Sequence, residues 1–324
     1  MRTRTLGYSG LDLTTIGIGT WAMGGGGWKF AWGAQDDTES IRSIQAALDA
    51  GVNWIDTAAI YGHGHAEEIV GRAIKGRRDK VLVATKCGRV WEGTSRDIGR
   101  CLRRDSVFAE VDASLRRLGV ERIDLYQMHW PEPDEQIEEG WAAMAELVRM
   151  GKVRVAGVCN FSLAQLKRVQ PIHPVASLQP PYSMLKRDIE TDIVAWCEAH
   201  QVGLLAYSPM QAGLLTGAFT AERAAALGDD DWRSRNPLFQ EPQLSATLRL
   251  VDGMRPIAAR LGLTVAQLVL AWVLRLPAMT SAIAGARSAE QIQETVKAGD
   301  VTLAPEVIAE IEQLLSRRSA EVGG

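Results

Sequence analysis

Residues 53–86 read NWIDTAAIYGHGHAEEIVGRAIKGRRDKVLVATK and contain one complete strand-helix-strand unit. The runs at 53–56 and 81–86 are short and rich in apolar and β-branched residues, which is typical of buried strands. Between them, residues 65–74 carry apolar side chains at helical spacing, and Gly76 stands where a left-handed C-terminal cap is favoured. A helix that joins two parallel strands crosses over in the right-handed sense, so this stretch predicts an α/β fold.

The same alternation of strand and helix occurs eight times along the chain. Predicted strands lie at residues 15–19, 53–56, 81–86, 123–129, 153–159, 176–179, 202–207 and 281–284. Predicted helices lie at residues 37–50, 65–74, 105–118, 136–150, 162–169 and 188–200, in two helices after the seventh strand, and at 288–298. Because an open sheet of eight strands leaves two edges unpaired, the pattern predicts a closed (β/α)8 TIM barrel.

Several segments lie outside this repeat. Residues 3–13 predict a β-hairpin that plugs the N-terminal mouth of the barrel, and residues 305–316 predict an extra C-terminal helix. Residues 88–104 and 211–243 are too long for ordinary connections, so we expect them to be binding loops. Capping-box spacing marks helix starts at Ser162, Thr264 and Ser288. We therefore expect residues 1–324 to form one barrel domain with an N-terminal β-hairpin and extra C-terminal helices.

Composition excludes several classes of protein. The 324 residues are 46% hydrophobic and 23% charged, which is ordinary for a globular chain, and the formal net charge of −3 does not attract nucleic acid or anionic lipid. No apolar run reaches the length of about eighteen residues that spans a membrane, and the first residues lack the apolar stretch of a signal peptide. The four cysteines show no C-x-x-C spacing, so reduced thiols and a cytoplasmic location are expected.

Four residues with complementary chemistry lie at the C-terminal ends of predicted strands or just beyond them: Asp56, Tyr61, Lys86 and His129. The C-terminal face of a barrel builds its active site. Tyr61 is suited to protonate a carbonyl oxygen while hydride reaches the carbon, but a phenol with a pKa of about 10 needs a nearby cation. Lys86 supplies that cation, Asp56 pairs with it, and His129 hydrogen-bonds the same carbonyl oxygen. The four residues together indicate an oxidoreductase.

The chain resembles the aldo-keto reductases over nearly its whole length. The matching segments are G-I-G-T-W at 17–21, D-T-A-A-I-Y-G at 56–62, A-T-K at 84–86, D-L-Y-Q-M-H-W at 124–130, G-K-V-R-V-A-G-V-C-N-F at 151–161 and Y-S-P-M-Q-A-G-L-L-T-G at 207–217. The resemblance implies that NADPH or NADP⁺ is the cofactor, with NADH as an alternative. It also implies that small-molecule aldehydes and ketones are reduced to alcohols by Asp56, Tyr61, Lys86 and His129.

The resemblance also implies a set of cofactor contacts. Asn160 and Gln179 resemble the pair that hydrogen-bonds the nicotinamide carboxamide, and Tyr207 resembles the ring that stacks on the nicotinamide. The strap expected over the pyrophosphate comprises Ser208, Pro209, Met210, Gln211, Gly213 and Leu214. The remaining expected contacts are Gly19, Thr20, Trp21 and Asp56 near the first two strands, and Gly285, Arg287, Gln291 and Thr295 at the adenosine end.

Arg287 carries the expected preference for NADPH. It follows the eighth predicted strand, where its guanidinium and the start of the next helix are suited to a 2′-phosphate. Many members of the family have a lysine at the position of Gly285 and an arginine at that of Gln291, so Arg287 must act alone or with a loop residue. Cys159 is a second departure, because serine is common at that position.

The tryptophans divide by position. Trp21, Trp91 and Trp130 lie just past strand ends or in the loop after the third strand, so they are candidate walls of the substrate pocket. Core packing is expected for four others, and the sequence does not decide between the two roles for Trp28 and Trp32. The four expected in the core are Trp54, Trp141, Trp196 and Trp272.

Three other functions match parts of the sequence. Tyr182 and Lys186 match the Y-x-x-x-K pair of short-chain dehydrogenases, but they fall in a polar loop and are expected to be solvated. His63, His65 and the two glutamates after them resemble a barrel metallohydrolase site, but they lie in the loop after the second strand, so no metal site is expected. The third alternative is a cofactor-binding regulatory subunit with slow turnover, since some proteins of this fold partner with potassium channels. The sequence identifies neither the physiological carbonyl nor the oligomeric state.

Overall fold

Eight parallel strands close into a barrel in the computed structural model, which describes residues 1–93, 95, 97–228 and 231–323. The strands of the described residues are β1 (Thr3–Thr5), β2 (Asp12–Thr14), β3 (Ile16–Gly19), β4 (Trp54–Asp56), β5 (Leu82–Cys87), β6 (Arg89–Val90), β7 (Gly99–Arg100), β8 (Ile123–Met128), β9 (Val153–Cys159), β10 (Ser177–Gln179), β11 (Gly203–Ala206) and β12 (Met279–Gly285). The order around the barrel is β3, β4, β5, β8, β9, β10, β11 and β12, and β12 pairs back onto β3. The predicted (β/α)8 barrel is confirmed.

Helices cover the outside of the barrel. They are α1 (Asp37–Asp49), α2 (His65–Ala73), α3 (Arg104–Leu118), α4 (Ile137–Arg149), α5 (Leu163–Val169), α6 (Ile193–Ala199), α7 (Ala221–Ala225), α8 (Gln243–Arg260), α9 (Val265–Val273), α10 (Ala289–Thr295) and α11 (Pro305–Glu321). Capping boxes form at Ser162 and Thr264, as their spacing predicts. At Ser288 only half of the predicted box forms, because Gln291 Oε1 accepts from the Arg287 backbone N–H instead.

The N-terminal hairpin closes one end of the barrel. β1 and β2 pair antiparallel, and Leu6 and Leu13 share a buried apolar cluster with Trp54, Leu125 and Leu205 from three barrel strands. Since Trp54 lies two residues before Asp56 on β4, these side chains fill the layer below the polar residues. The hairpin therefore seals the N-terminal mouth and leaves the opposite mouth for the site.

Two helical predictions are too long. Residues 188–200 form a 3₁₀ turn (Asp188–Glu190) and then α6, because the backbone of Asp192 leaves the helical region and Glu190 turns toward arginine partners. Residues 288–298 likewise divide into α10 and a 3₁₀ segment (Val296–Asp300).

Two of the long loops include Thr94, Arg96, Asp229 and Asp230, which lie outside the described residues, as does Gly324.

Tyr182 is not solvated, and that prediction is wrong. Its side chain is 0% exposed, its ring stacks on Trp272 with the centroids 6.0 Å apart, and its hydroxyl bonds Glu190 at 2.5 Å and Arg275 at 2.6 Å. Lys186 remains at the surface, paired with Asp188. The tyrosine of the Y-x-x-x-K match is thus part of a buried polar network, and the lysine is not.

Among the described residues, no single helix is long and apolar enough to cross a membrane. α8 and α9 meet that criterion only when they are taken together as a pair bent by 92°, and then by length and composition alone.

Candidate active site

A buried ion pair lies at the C-terminal mouth of the barrel. β4 and β5 are neighbours in register, which brings Asp56 beside Lys86. Lys86 Nζ lies 2.9 Å and 2.8 Å from the two Asp56 carboxylate oxygens and donates to the Thr57 carbonyl at 2.8 Å. The residues are 1% and 3% exposed. Burial alone lowers the pKa of Lys86, but Asp56, Tyr61 and Cys159 together outweigh burial and raise that pKa above its usual value, so the ammonium stays charged.

Tyr61 lies directly over this pair. The distance from Lys86 Nζ to the centroid of the Tyr61 ring is 5.2 Å. Burial raises the pKa of Tyr61 to about 12, although Lys86 acts to lower it. Lys86 thus reduces the effect of burial on the pKa of Tyr61 but does not cancel it. The sequence predicted a phenol made more acidic by Lys86, whereas this phenol is less acidic than a free one. The hydroxyl therefore remains protonated at neutral pH.

His129 is the fourth residue of the group and lies beside Tyr61. It follows β8, and its backbone N–H donates to the Cys87 carbonyl at 3.0 Å, which fixes it next to the end of β5. The His129 and Tyr61 rings meet edge to face with centroids 5.8 Å apart. Burial, with Lys86 and Arg89 nearby, holds the pKa of His129 well below its usual value. A neutral imidazole therefore faces the phenol.

The two amides predicted for the carboxamide lie next to these residues. Gln179 Nε2 donates to Asp56 Oδ1 at 2.8 Å, so Gln179 also holds the carboxylate. Asn160 Nδ2 donates to the His129 carbonyl at 3.0 Å, and the Tyr207 hydroxyl donates to Asn160 Oδ1 at 2.8 Å. Each amide keeps further donor or acceptor capacity, which suits a ligand carboxamide.

The strap after β11 has an unusual backbone. Ser208, Gln211 and Ala212 have φ of 51°, 47° and 53°, in the left-handed region that non-glycine residues rarely adopt. Asn160, which follows β9, has a φ of 62° in the same region. Such strain is concentrated at binding sites, because the surrounding structure must compensate for it. Together with the amide pair and the Tyr207 ring, it fits a dinucleotide laid across the mouth. Leu214 instead points into an apolar cluster with Phe219 and Phe239.

Arg287, which was predicted to contact the adenosine end of the cofactor, is held by the loop after β3. Its Nε donates to Gln35 Oε1 at 2.7 Å, and its Nη2 donates to the Ala34 carbonyl at 2.6 Å. Gly285 is exposed, with open space where a Cβ would be, so a ligand can approach the backbone there. Thr295 is buried and its hydroxyl donates to the Gln291 carbonyl, so this predicted contact is turned away from the surface.

An aromatic cluster covers Tyr61, and the sequence did not predict most of it. Trp21 stacks near Tyr61, with centroids 6.5 Å apart, and Trp232 stacks on the other side of Trp21 at 5.7 Å. Trp28 lies 6.1 Å from Tyr61, and Trp32 meets Trp21 edge to face at 5.5 Å. The only sequence signal for Trp232 was its position in the long loop at 211–243. Trp21, predicted as a wall, is thus the centre of the cluster.

The other tryptophans separate as follows. Trp91 packs against His63 with centroids 5.4 Å apart, and Trp130 is 38% exposed with Arg89 over its ring. Both lie outside the stack on Tyr61. The core prediction holds for three residues, which are Trp54, Trp141 and Trp272. Trp196 fits the prediction in part: it is half-buried and packs against the edge of the core, and its ring stacks on His200 at 4.1 Å.

The residues of the metallohydrolase alternative have other partners. His65 Nε2 pairs with Asp37 at 2.9 Å, and Glu67 is buried against Thr85 and Arg117. Within residues 1–93, 95, 97–228 and 231–323, no three His, Cys, Asp or Glu side chains are grouped so that they could hold a metal ion.

Comparison with known proteins identifies the family. The model of the Aldo/keto reductase family matches residues 15–316. Aldo-keto reductase YhdN of Bacillus subtilis (strain 168) is 37% identical over 327 residues, which cover 100% of this chain and 96% of that protein. The NADH-specific methylglyoxal reductase of Escherichia coli (strain K12) is 33% identical and is covered to 99%, as is this chain. A probable voltage-gated potassium channel subunit beta of Arabidopsis thaliana is 33% identical, with 98% of both chains covered.

Solved structures agree with this assignment. The glycerol dehydrogenase AKR11B4 from Gluconobacter oxydans has a TM-score of 0.89 at 38% identity, over 98% of this chain and 95% of that one. An aldo-keto reductase from Klebsiella pneumoniae in complex with NADP and acetate has a TM-score of 0.74 at 30% identity, over 97% and 96%. Barrel and matches together define an oxidoreductase of the α/β-barrel class. The chain belongs to the aldo/keto reductase family.

Proposed function

We propose that this protein reduces small-molecule aldehydes and ketones to alcohols with NADPH, and that Tyr61 is the proton donor. The observation that carries the proposal is the buried Asp56–Lys86 pair beneath a protonated Tyr61, with the neutral His129 ring beside it. A bound reduced nicotinamide would supply the hydride. Every other part of the reaction falls to side chains of this chain.

The role of each side chain follows from its charge state. His129, neutral at physiological pH, donates a hydrogen bond that orients the carbonyl oxygen, and Tyr61 passes its proton to that oxygen as negative charge develops there. Lys86 stabilises the phenolate left behind, while Asp56 holds the ammonium in place. A phenol of pKa about 12 still protonates an alkoxide readily, because alcohols are weaker acids.

The cofactor assignment rests on the residues around the mouth. Asn160 and Gln179 would hold the carboxamide, Tyr207 the nicotinamide face, and Arg287 a 2′-phosphate. The relatives differ, because one is named NADH-specific and another was solved with NADP. Arg287 favours NADPH here, with NADH as the weaker cofactor.

The aromatic walls bear on the substrate. Trp21 lies near Tyr61 with its ring plane 24° from that of the phenol, and Trp232 extends this stack outward. Such ring faces suit a flat, conjugated carbonyl compound better than a polyhydroxylated one. Trp91 and Trp130 would widen the pocket on its outer side. Relatives are named for methylglyoxal and for glycerol, and the loops at the C-terminal face are the part of a barrel that determines its substrate.

Substitution of the acid tests the proposal. Tyr61→Phe should lower kcat for aldehyde reduction by about a thousandfold and leave NADPH affinity unchanged, because only the proton donor is removed. Tyr8→Phe is the matched control, since the Tyr8 hydroxyl donates to Pro174 in the hairpin region, away from the mouth. Full activity in Tyr61→Phe would refute the assignment of the acid.

A second candidate function is that of a cofactor-binding regulatory subunit. The likeness to a probable potassium channel subunit beta over 98% of both chains favours it. Steady-state turnover with a generic aldehyde separates the two functions. A sensor would bind NADPH yet barely consume it, whereas ordinary enzymes reach about ten turnovers per second.

A further inference from the structure

Arg287 and Gln35 form a reciprocal contact between two loops at the adenosine end. Gln35 Oε1 accepts from Arg287 Nε at 2.7 Å, and Gln35 Nε2 donates to the Arg287 carbonyl at 3.1 Å. Arg287 Nη2 also donates to the carbonyl of Ala34 at 2.6 Å. Both acceptors of the guanidinium belong to the end of the loop that precedes α1, so they lie on one side of it. Together they fix the plane of the guanidinium. Gln35 is only half-buried, so this contact is not needed to fill the core.

We propose that Gln35 is a cofactor-selectivity residue, which sets the preference for a 2′-phosphate over a 2′-hydroxyl by orienting Arg287. The inference deepens the proposed function and rests on its assignment of Arg287. Gln35 is a positioning residue, because it acts through the guanidinium and not on the reacting atoms.

The neutrality of Gln35 is the physical basis of the inference. An amide oxygen accepts from Nε less strongly than a carboxylate would, yet it still fixes the guanidinium and leaves the positive charge of Arg287 available to a phosphate. The carboxylate of Asp231, also at this end of the site, is already paired with Arg233 at 2.6 Å. A carboxylate at position 35 would instead neutralise Arg287 and repel the phosphate dianion, and one of its oxygens would face the Arg287 carbonyl.

Two substitutions at Gln35 separate selectivity from loop anchoring. Gln35→Glu keeps the size of the side chain and the Nε contact but adds a negative charge. Gln35→Leu removes both hydrogen bonds without adding charge. Gln293→Glu adds the same charge on an exposed position of α10 and is the matched control for long-range electrostatics.

The measurement is equilibrium binding of NADPH, NADH and adenosine 2′,5′-bisphosphate, followed by quenching of tryptophan fluorescence or by competition. Gln35→Glu should weaken NADPH and the bisphosphate about tenfold and change NADH by less than about twofold. Gln35→Leu should weaken NADPH by a smaller factor, and Gln293→Glu should leave all three ligands unchanged. NADH binding in the same preparation reports whether a variant is folded.

The outcomes distinguish the inference from the function on which it rests. If Arg287→Ala weakens NADPH but Gln35→Glu leaves the ratio of NADPH to NADH affinity unchanged, Gln35 merely anchors the loop and the inference is wrong. If Gln35→Glu weakens NADH as much as NADPH, the inference is also wrong. If Arg287→Ala itself leaves NADPH binding unchanged, the phosphate assignment in the proposed function fails first.

Discussion

Tyr61 and His129 have protonation states that make the two directions of the reaction respond differently to pH. Burial raises the pKa of Tyr61 to about 12 and holds that of His129 well below its usual value. Between about pH 7 and about pH 9 the phenol is therefore protonated and the imidazole neutral. Neither group changes charge within that window. The form needed to donate a proton is fully populated throughout.

We expect the rate of carbonyl reduction to be flat over that window, because Tyr61 keeps its proton. Alcohol oxidation needs the phenolate as base, and its fraction grows about tenfold per pH unit below the pKa. Oxidation should therefore rise steadily with pH. Single-turnover hydride transfer in both directions measures this, and the reduction rate of Tyr61→Phe supplies the background. A fall in the reduction rate of the native protein across neutral pH would show that another group is the acid.

The four catalytic candidates were predictable from the sequence because residue type and strand end suffice to place them. Asp56 and Lys86 meet only because β4 and β5 are neighbours, which the βαβ pattern predicts. The net change in the pKa of Tyr61 was not predictable from the sequence, since the burial of Tyr61 depends on Trp21 and Trp28, which pack around its ring. Tyr182 was misassigned for a similar reason, because its partner Arg275 lies 93 residues away along the chain.

At the scale of elements, two loops meet over the mouth of the barrel. Arg233 lies over the Trp32 ring, 5.1 Å from its centroid, and pairs with Asp231, so the loop after β11 is joined to the loop after β3. These contacts of Arg233 hold the loop in a position where Trp232 stacks on Trp21. The sequence predicted that the segment at 211–243 would be a binding loop, but not its partner, because loop conformation depends on contacts between distant segments.

Trp232→Ala should raise KM for an aromatic aldehyde about tenfold and change kcat little, because the ring contributes stacking area but no chemistry. A small α-dicarbonyl compound, which does not reach the outer ring, should keep its KM. Trp196→Ala is the matched control, since Trp196 stacks on His200 on the surface of α6. Steady-state kinetics with both compounds decide the matter. Equal changes in KM for the two would mean that Trp232 supports the loop and does not contact the substrate.

At the scale of the whole molecule, a polar network joins segments that the barrel repeat does not connect. Glu190, before α6, bonds Arg275 at 2.8 Å and Arg187 at 2.7 Å, and Arg187 pairs with Glu312 on α11 at 2.6 Å. Trp272 of α9 donates to the same Glu312. The network therefore fastens the C-terminal helix to the side of the barrel. Sequence patterns predict α11 itself but not this docking, because the charges are distant in the chain.

Glu190 makes the stability supplied by this network depend on pH. Burial acts to raise its pKa, but hydrogen bonds from Arg187, Tyr182 and Arg275 outweigh burial and lower the pKa to about 2 from its ordinary 4.5. A group whose pKa is lower in the folded state stabilises the fold above its unfolded value, and the contribution is lost as the pH falls through the folded value. Glu190 should therefore contribute fully above about pH 5 and lose that contribution between about pH 4.5 and about pH 2.

We expect Glu190→Gln to lower Tm by several degrees near neutral pH, because Arg275 and Arg187 lose the charge that they share. The difference from the native protein should shrink as the pH falls toward 3, where the native carboxylate begins to gain a proton. Glu310→Gln on α11 is the control, since its pair with Arg260 is exposed and should contribute little at any pH. Thermal unfolding at several pH values measures both variants. A Glu190→Gln deficit that stays constant down to pH 3 would assign the loss to altered packing around Tyr182, and the C-terminal helix would then be held by shape and not by charge.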